Sequence, residues 1–105
     1  MSEKKIRGGS LIARALRDKG IENVFTLSGG FCNPALEGLM ECQIDVINCP
    51  HEQIAGHLAD GHTRITRKPT VCLVGPEGFA NAVPSMMEAW GERSPVIFIT
   101  GSSSL

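Results

Sequence analysis

Four short apolar runs, each closed by glycine or proline, constrain this chain more than any other feature. Val24 to Leu27 ends at Ser28-Gly29-Gly30, and Ile44 to Cys49 ends at Pro50. Thr70 to Val74 ends at Gly75-Pro76, and Pro95 to Thr100 ends at Gly101. Each run has strand length and is rich in β-branched and aromatic residues. Helical patterns fill the gaps. Ser10 is expected to cap a helix over Leu11 to Lys19, with Ile12, Ala15 and Leu16 on one face and Gly20 closing it. Asn33-Pro34 reads as cap and first residue of a helix reaching about Cys42. A long helix is expected from about His51 to Ile65. A last one runs from Gly78 to Trp90, with Asn81 a candidate cap and Pro84 tolerated in the first turn. Helix and strand therefore alternate, which predicts an α/β fold: an open parallel sheet of about four strands with helices on both faces. Runs that are apolar throughout suit strands covered on both sides.

The length of 105 residues fits one domain with one real core. Open sheets of this kind commonly have five or more strands. A four-stranded version is expected to be an incomplete domain or to lean on a partner. The net charge of −1 is spread along the chain, so no global field favours nucleic acid or an anionic membrane. Lys4, Lys5 and Arg7 read as a solvated terminus. No apolar run approaches the roughly 20 residues of a membrane helix, and no leader-like core opens the sequence. Cys32, Cys42, Cys49 and Cys72 form no CxxC pair, so a reducing, cytoplasmic setting without disulfides is expected.

In open α/β sheets, ligands bind beyond the carboxyl ends of the strands. The loops expected there are Ser28-Gly29-Gly30-Phe31, Pro50-His51-Glu52-Gln53, Gly75-Pro76-Glu77-Gly78 and Gly101-Ser102-Ser103. The familiar nucleotide and metal patterns fail. Gly75 to Gly78 has no Lys-Ser/Thr, so it is not a P-loop. His51 and Glu52 are followed by a histidine only at His57, which breaks the zinc-protease spacing. His57 and His62 read as packing or surface groups. No metal site is expected. Met86, Met87 and Trp90 read as core or dimer contacts rather than as a cofactor box.

Three segments carry a resemblance. Glu22-Asn-Val-Phe-Thr-Leu-Ser-Gly-Gly30 is similar to the first strand and glycine loop of the N-terminal domain of thiamine diphosphate enzymes of the acetolactate synthase and 2-hydroxyacyl-CoA lyase type. His51-Glu-Gln-Ile-Ala-Gly-His-Leu-Ala-Asp-Gly-His-Thr-Arg64 is similar to that family's HEQ-x-A-x-x-A-D-G-Y-A-R helix. Gly75-Pro-Glu-Gly-Phe-Ala-Asn81 is similar to its S-G-P-G-x-x-N loop. The match runs from about residue 7 to residue 105, in the family's order and spacing.

The resemblance implies a pyrimidine-binding domain, complete or partial, for thiamine diphosphate. It implies that Glu52 is the catalytic group, its carboxyl hydrogen-bonding the aminopyrimidine and sharing in the proton transfer that activates the cofactor. A carboxyl that exchanges a proton near neutrality is expected to sit in apolar, water-poor surroundings. His51 and Gln53 are expected to flank the cofactor. Gly29 and Gly30 would let the first loop approach it, and Gly78 and Asn81 would shape the third loop. For Phe31 and Phe79, packing on the cofactor and filling the core stay open. Gly56 and Gly61 are expected to let the Glu52 helix pack closely on a neighbour.

The resemblance also implies a homodimer or higher homo-oligomer. Its Mg²⁺ and diphosphate are bound by a separate domain through a Gly-Asp-Gly motif absent here, so the chain alone is expected to be catalytically silent. The reaction class implied is C–C bond formation or cleavage on 2-keto acids or 2-hydroxyacyl thioesters. Departures bear on the substrate: Glu77 stands where proline is expected, and His62-Thr63 replaces Tyr-Ala. The alternative is a non-catalytic interaction module that keeps the fold without the diphosphate domain.

Overall fold

The structure is a computed structural model that describes residues 5–27 and 29–102. Lys4, Ser28 and residues 103–105, assigned above to the terminus and to strand-end loops, lie outside the described residues, as does the Phe31 side chain. The elements in chain order are α1 (Gly8–Asp18), β1 (Asn23–Leu27), α2 (Asn33–Glu41), β2 (Asp45–Asn48), α3 (Glu52–Thr66), β3 (Thr70–Val74), α4 (Phe79–Gly91) and β4 (Val96–Thr100). Short 3-10 turns, Gly30–Cys32 and Pro76–Gly78, lead into α2 and α4.

All strand pairs are parallel, in the order β2-β1-β3-β4. In register, Phe25 lies beside Ile47 on one side and Cys72 on the other, and Cys72 lies beside Phe98. Alternation along the strands then splits the core. Val24, Val71 and Leu73 face Ala13, Leu16 and Leu39 of α1 and α2. Phe25, Cys72 and Val74 face Ala55, Ala59 and Ala82 of α3 and α4. The expected open parallel sheet with helices on both faces is therefore what forms. β3 is buried at all five positions, as its unbroken apolar run requires.

Several local expectations need correction. Ser10 is not a cap: α1 starts earlier, after an extended Arg7, and the buried Ser10 hydroxyl donates to Glu41 of α2 at 3.1 Å. The earlier start comes from close packing of α1 on α2, where a Cβ on Gly38 would lie 2.5 Å from the Gly9 carbonyl oxygen. The buried face of α1 is consequently Gly9, Ala13 and Leu16, while Ile12 and Ala15 are exposed. Asn33 is the first helical residue of α2 rather than its cap, because the 3-10 turn precedes it. Asn81 lies inside α4. Pro84 also lies inside α4, where it removes the bond its N–H would make to Ala80. Met87 and Trp90 are not core: they are 65% and 82% exposed.

A carboxylate ties α3 to α4. Asp60 is 4% exposed and accepts from Arg64 Nε at 3.1 Å and Arg64 Nη2 at 2.9 Å. Arg64 Nη2 also donates to Glu88 of α4 at 3.2 Å. Burial pushes the Asp60 carboxyl up, but the Arg64 hydrogen bonds and charge outweigh it and hold the group below its usual value. A depressed carboxyl adds stability above its unfolded pKa, near 4, and loses it as pH falls through the folded value. Asp60→Asn is expected to cost about 1–3 kcal/mol in urea unfolding at neutral pH. The difference from the parent chain should close below about pH 4. Equal stability of the two chains at pH 7 would contradict this.

Candidate functional site

The strand order determines where a ligand can enter. From β1 the chain moves outward through α2 to β2, and from β3 it moves the opposite way through α4 to β4. The carboxyl ends of β1 and β3 thus flank a topological switch point, where neighbouring loops part and leave a crevice. The helix α3, crossing from β2 to β3, delivers its N-terminus to this edge.

Glu52 is the first residue of α3 and is half-buried. The local sequence explains its placement. Pro50 stops β2, and His51 is extended (φ −157°, ψ 147°) and caps the helix. The His51 Nδ1 accepts from the Gln53 backbone N–H at 3.0 Å, which occupies one of the free amides of the first turn. That bond leaves the proton of a neutral His51 on Nε2. His51 and Gln53 themselves are exposed at the rim.

The third loop then closes on the carboxyl. Asn81 Nδ2 donates to Glu52 Oε1 at 3.1 Å. Gly78 is buried against the other oxygen: a Cβ there would lie 2.5 Å from Glu52 Oε2. Only a residue without a side chain fits this seat. Below lies an apolar floor that includes Cys72, fully buried, and Cys49, 2% exposed. Burial pushes the Cys72 thiol up to about 12, with the charges of Cys49 and Glu52 adding to it. Cys72 therefore stays a neutral, unreactive thiol beneath the carboxylate. Burial likewise pushes the Cys49 thiol up.

The remaining loops meet beside this group. Burial pushes up the Cys32 thiol, and it senses both the Gly101 backbone and the Glu77 carboxylate. That places the ends of β1, β3 and β4 in one neighbourhood. At Gly29 and Gly30 a Cβ would meet nothing within 4 Å, so the first loop borders open space. Phe79 is 38% exposed.

The structure thus brings Glu52, Gly78 and Asn81 into direct contact and leaves His51, Gln53, Gly29 and Gly30 on the rim. Gly56 packs as expected, since a Cβ there would overlap the Ser85 side chain of α4. Gly61 does not: nothing lies within 4 Å of its Cβ position. His62 packs on the Phe25 ring (5.7 Å between centroids) and lies 3.2 Å from Asn23 Nδ2, while His57 is exposed. Sequence reasoning missed the Gly78–Glu52 contact, the place of Cys72 beneath it, and the meeting of Cys32, Glu77 and Gly101. The period-2 pattern of β3 was the available signal for Cys72, since it puts that residue on the α3 face.

Among the described residues, no group of three His, Cys, Asp or Glu could hold a metal ion, and no helix is long and apolar enough to cross a membrane. The Glu52 carboxyl thus has one oxygen held by Asn81 and the other against Gly78, at the carboxyl ends of the strands. The family model "Thiamine pyrophosphate enzyme, N-terminal TPP binding domain" matches residues 6–105. An acetolactate synthase large subunit of Mycobacterium tuberculosis is 38% identical over 91% of this chain and 18% of its own length. The acetolactate synthase isozyme 2 large subunit of Escherichia coli is 34% identical over 94% of this chain and 18% of its own length. A probable 2-ketoarginine decarboxylase of Pseudomonas aeruginosa is 32% identical over 93% of this chain and 18% of its own length. The chain spans less than a fifth of these relatives. With its switch-point carboxyl, its glycine seat and a family match running from residue 6 to residue 105, the chain belongs to the thiamine pyrophosphate enzymes, as an N-terminal cofactor-binding domain.

Proposed function

We propose that this chain is the pyrimidine-binding portion of a thiamine diphosphate-dependent enzyme that makes or breaks a carbon–carbon bond beside the carbonyl of a 2-keto acid. One observation carries the reading: the Glu52 carboxyl is held at the switch-point crevice by Asn81 on one oxygen and Gly78 beside the other. When bound, the cofactor supplies the electron sink for the carbanion that such a reaction generates.

The protein's own groups do the positioning. Asn81 holds Oε1 and so orients the carboxyl plane. Glu52 then stores and returns a proton at Oε2, the oxygen over Gly78. Phe25, Cys72 and Ala55 belong to the buried apolar cluster between the sheet and the helices α3 and α4. His51 and Gln53 at the rim, with Gly29 and Gly30 opposite, would border the ring. Diphosphate and Mg²⁺ would be held by a separate domain, and the working enzyme would be a homodimer or higher oligomer. A reducing, cytoplasmic setting suits its free cysteines, three of which are buried.

The relatives named above favour 2-keto acids over 2-hydroxyacyl thioesters as substrates. The test is consumption of a panel of 2-keto acids by the complete enzyme, with and without thiamine diphosphate and Mg²⁺. Turnover that requires both is expected. A complete enzyme that is indifferent to the cofactor would overturn the reading and leave the non-catalytic module in its place.

A further inference from the structure

The strand ends carry a charge that nothing in the described chain balances. Glu77 stands in the 3-10 turn between β3 and α4. Its carboxylate is turned back over the end of β3: a Cβ on Gly75 would lie 3.4 Å from Glu77 Oε2. Cys32, in the turn after β1, senses both that charge and the Gly101 backbone at the end of β4. Glu77 therefore sits where β1, β3 and β4 meet, beside the switch-point crevice. A first-turn acid commonly serves its own helix. Glu77 does not cap one, since neither the turn nor α4 has a side-chain cap. Among the described residues, none hydrogen-bonds or ion-pairs with its carboxylate. Counter-charge is missing around it as well. The described residues just beyond the four strands, 29–32, 49–51, 75–78 and 101–102, include no Lys or Arg. Arg64, Arg67, Lys68 and Arg93 gather instead at the far ends of α3 and α4.

We propose that Glu77 is a specificity-determining residue that selects 2-keto acids whose side chain ends in a cation, with guanidinium the best fit. The inference rests on the function proposed above and names the substrate class within it. A free carboxylate at the crevice attracts a cationic end group and repels an anionic one, so it discriminates in both directions. A guanidinium offers two parallel N–H donors to the two carboxylate oxygens, which fixes orientation as well as charge. Glu52 is not available for this task, because Asn81 holds Oε1 and Gly78 lies against Oε2.

Kinetics of the complete enzyme test it, at saturating thiamine diphosphate and Mg²⁺. Three 2-keto acids of matched chain length are compared, ending in guanidinium, methyl or carboxylate. The parent enzyme should show the highest kcat/KM for the guanidinium substrate and the lowest for the carboxylate one. Glu77→Gln should lower the guanidinium-to-methyl ratio of kcat/KM about 10-fold, through KM rather than kcat. Glu77→Lys should invert the order of the two charged substrates. The thermal midpoint should follow the parent's in both variants, since the side chain has no described partner to lose. A parent enzyme that favours the methyl or the carboxylate substrate overturns the proposal. So does a ratio unmoved by Glu77→Gln, or a loss of cofactor affinity in place of the substrate effect, which would assign Glu77 to the cofactor. In each of these cases a 2-keto acid is still turned over, so the function proposed above stands. A complete enzyme that consumes none of the three with cofactor present overturns both.

Discussion

Replacing Glu52 with glutamine should remove nearly all turnover of the complete enzyme while leaving the domain folded. The substitution keeps the length of the side chain and an oxygen that can accept from Asn81, so the 3.1 Å hydrogen bond survives. What disappears is the carboxyl proposed to store a proton beside Gly78. Losing a positioned acid–base group costs about 10²–10⁴-fold in rate. The price in stability is small: a first-turn carboxylate at a helix N-terminus contributes about 0.3–1 kcal/mol. The measurement is kcat at saturating cofactor, with the thermal midpoint recorded on the same preparation. Activity within a few-fold of the parent would take Glu52 out of the chemistry and reduce it to a helix-end charge.

Gly78→Ala should be nearly as damaging, for a steric reason. The Gly78 backbone (φ −90°, ψ −7°) lies where alanine is also comfortable, so the substitution brings no dihedral strain. The new methyl would instead lie 2.5 Å from Glu52 Oε2 and 2.6 Å from Cγ and Cδ, and the carboxyl must move. If the carboxyl has the proposed role, displacing it by about 1 Å costs on the order of 10²-fold. The domain should lose some stability as well, because the seat is overpacked. Full activity in Gly78→Ala would show that the carboxyl works from another position, and the crevice geometry would lose its meaning. Together the two variants separate the proton from its placement: one keeps the position without the acid, and the other keeps the acid without the position.

The parts of this protein legible in the sequence are those governed by local patterns. The bounds Thr70–Val74 for β3 were readable to the residue, because an unbroken apolar run between Pro69 and Gly75 leaves no other register. The start of α3 was readable to within a residue from Pro50, while the capping role of the His51 side chain came only with the structure. The sheet class followed from the alternation of runs. The errors came where a distant segment outvoted local preference. Ser10 looks like a cap until α2 comes close enough for Glu41 to accept a hydrogen bond from its hydroxyl. Asn81 looks like a cap until Glu52, 29 residues earlier, accepts its amide.

By itself, then, the sequence determined the elements, their order and the layered α/β class, while Glu52 was singled out only through the family resemblance. Hydrophobic period and turn chemistry are short-range, and they act before the chain is compact. Only the tertiary structure decided that Gly78 is the seat for that carboxyl, that Cys72 lies neutral beneath it, and that Gly61 faces open space while Gly56 meets Ser85. Those facts depend on how far α3 and α4 stand apart over the sheet. That distance is set by the summed packing of small residues from both helices, and no window of the sequence contains it.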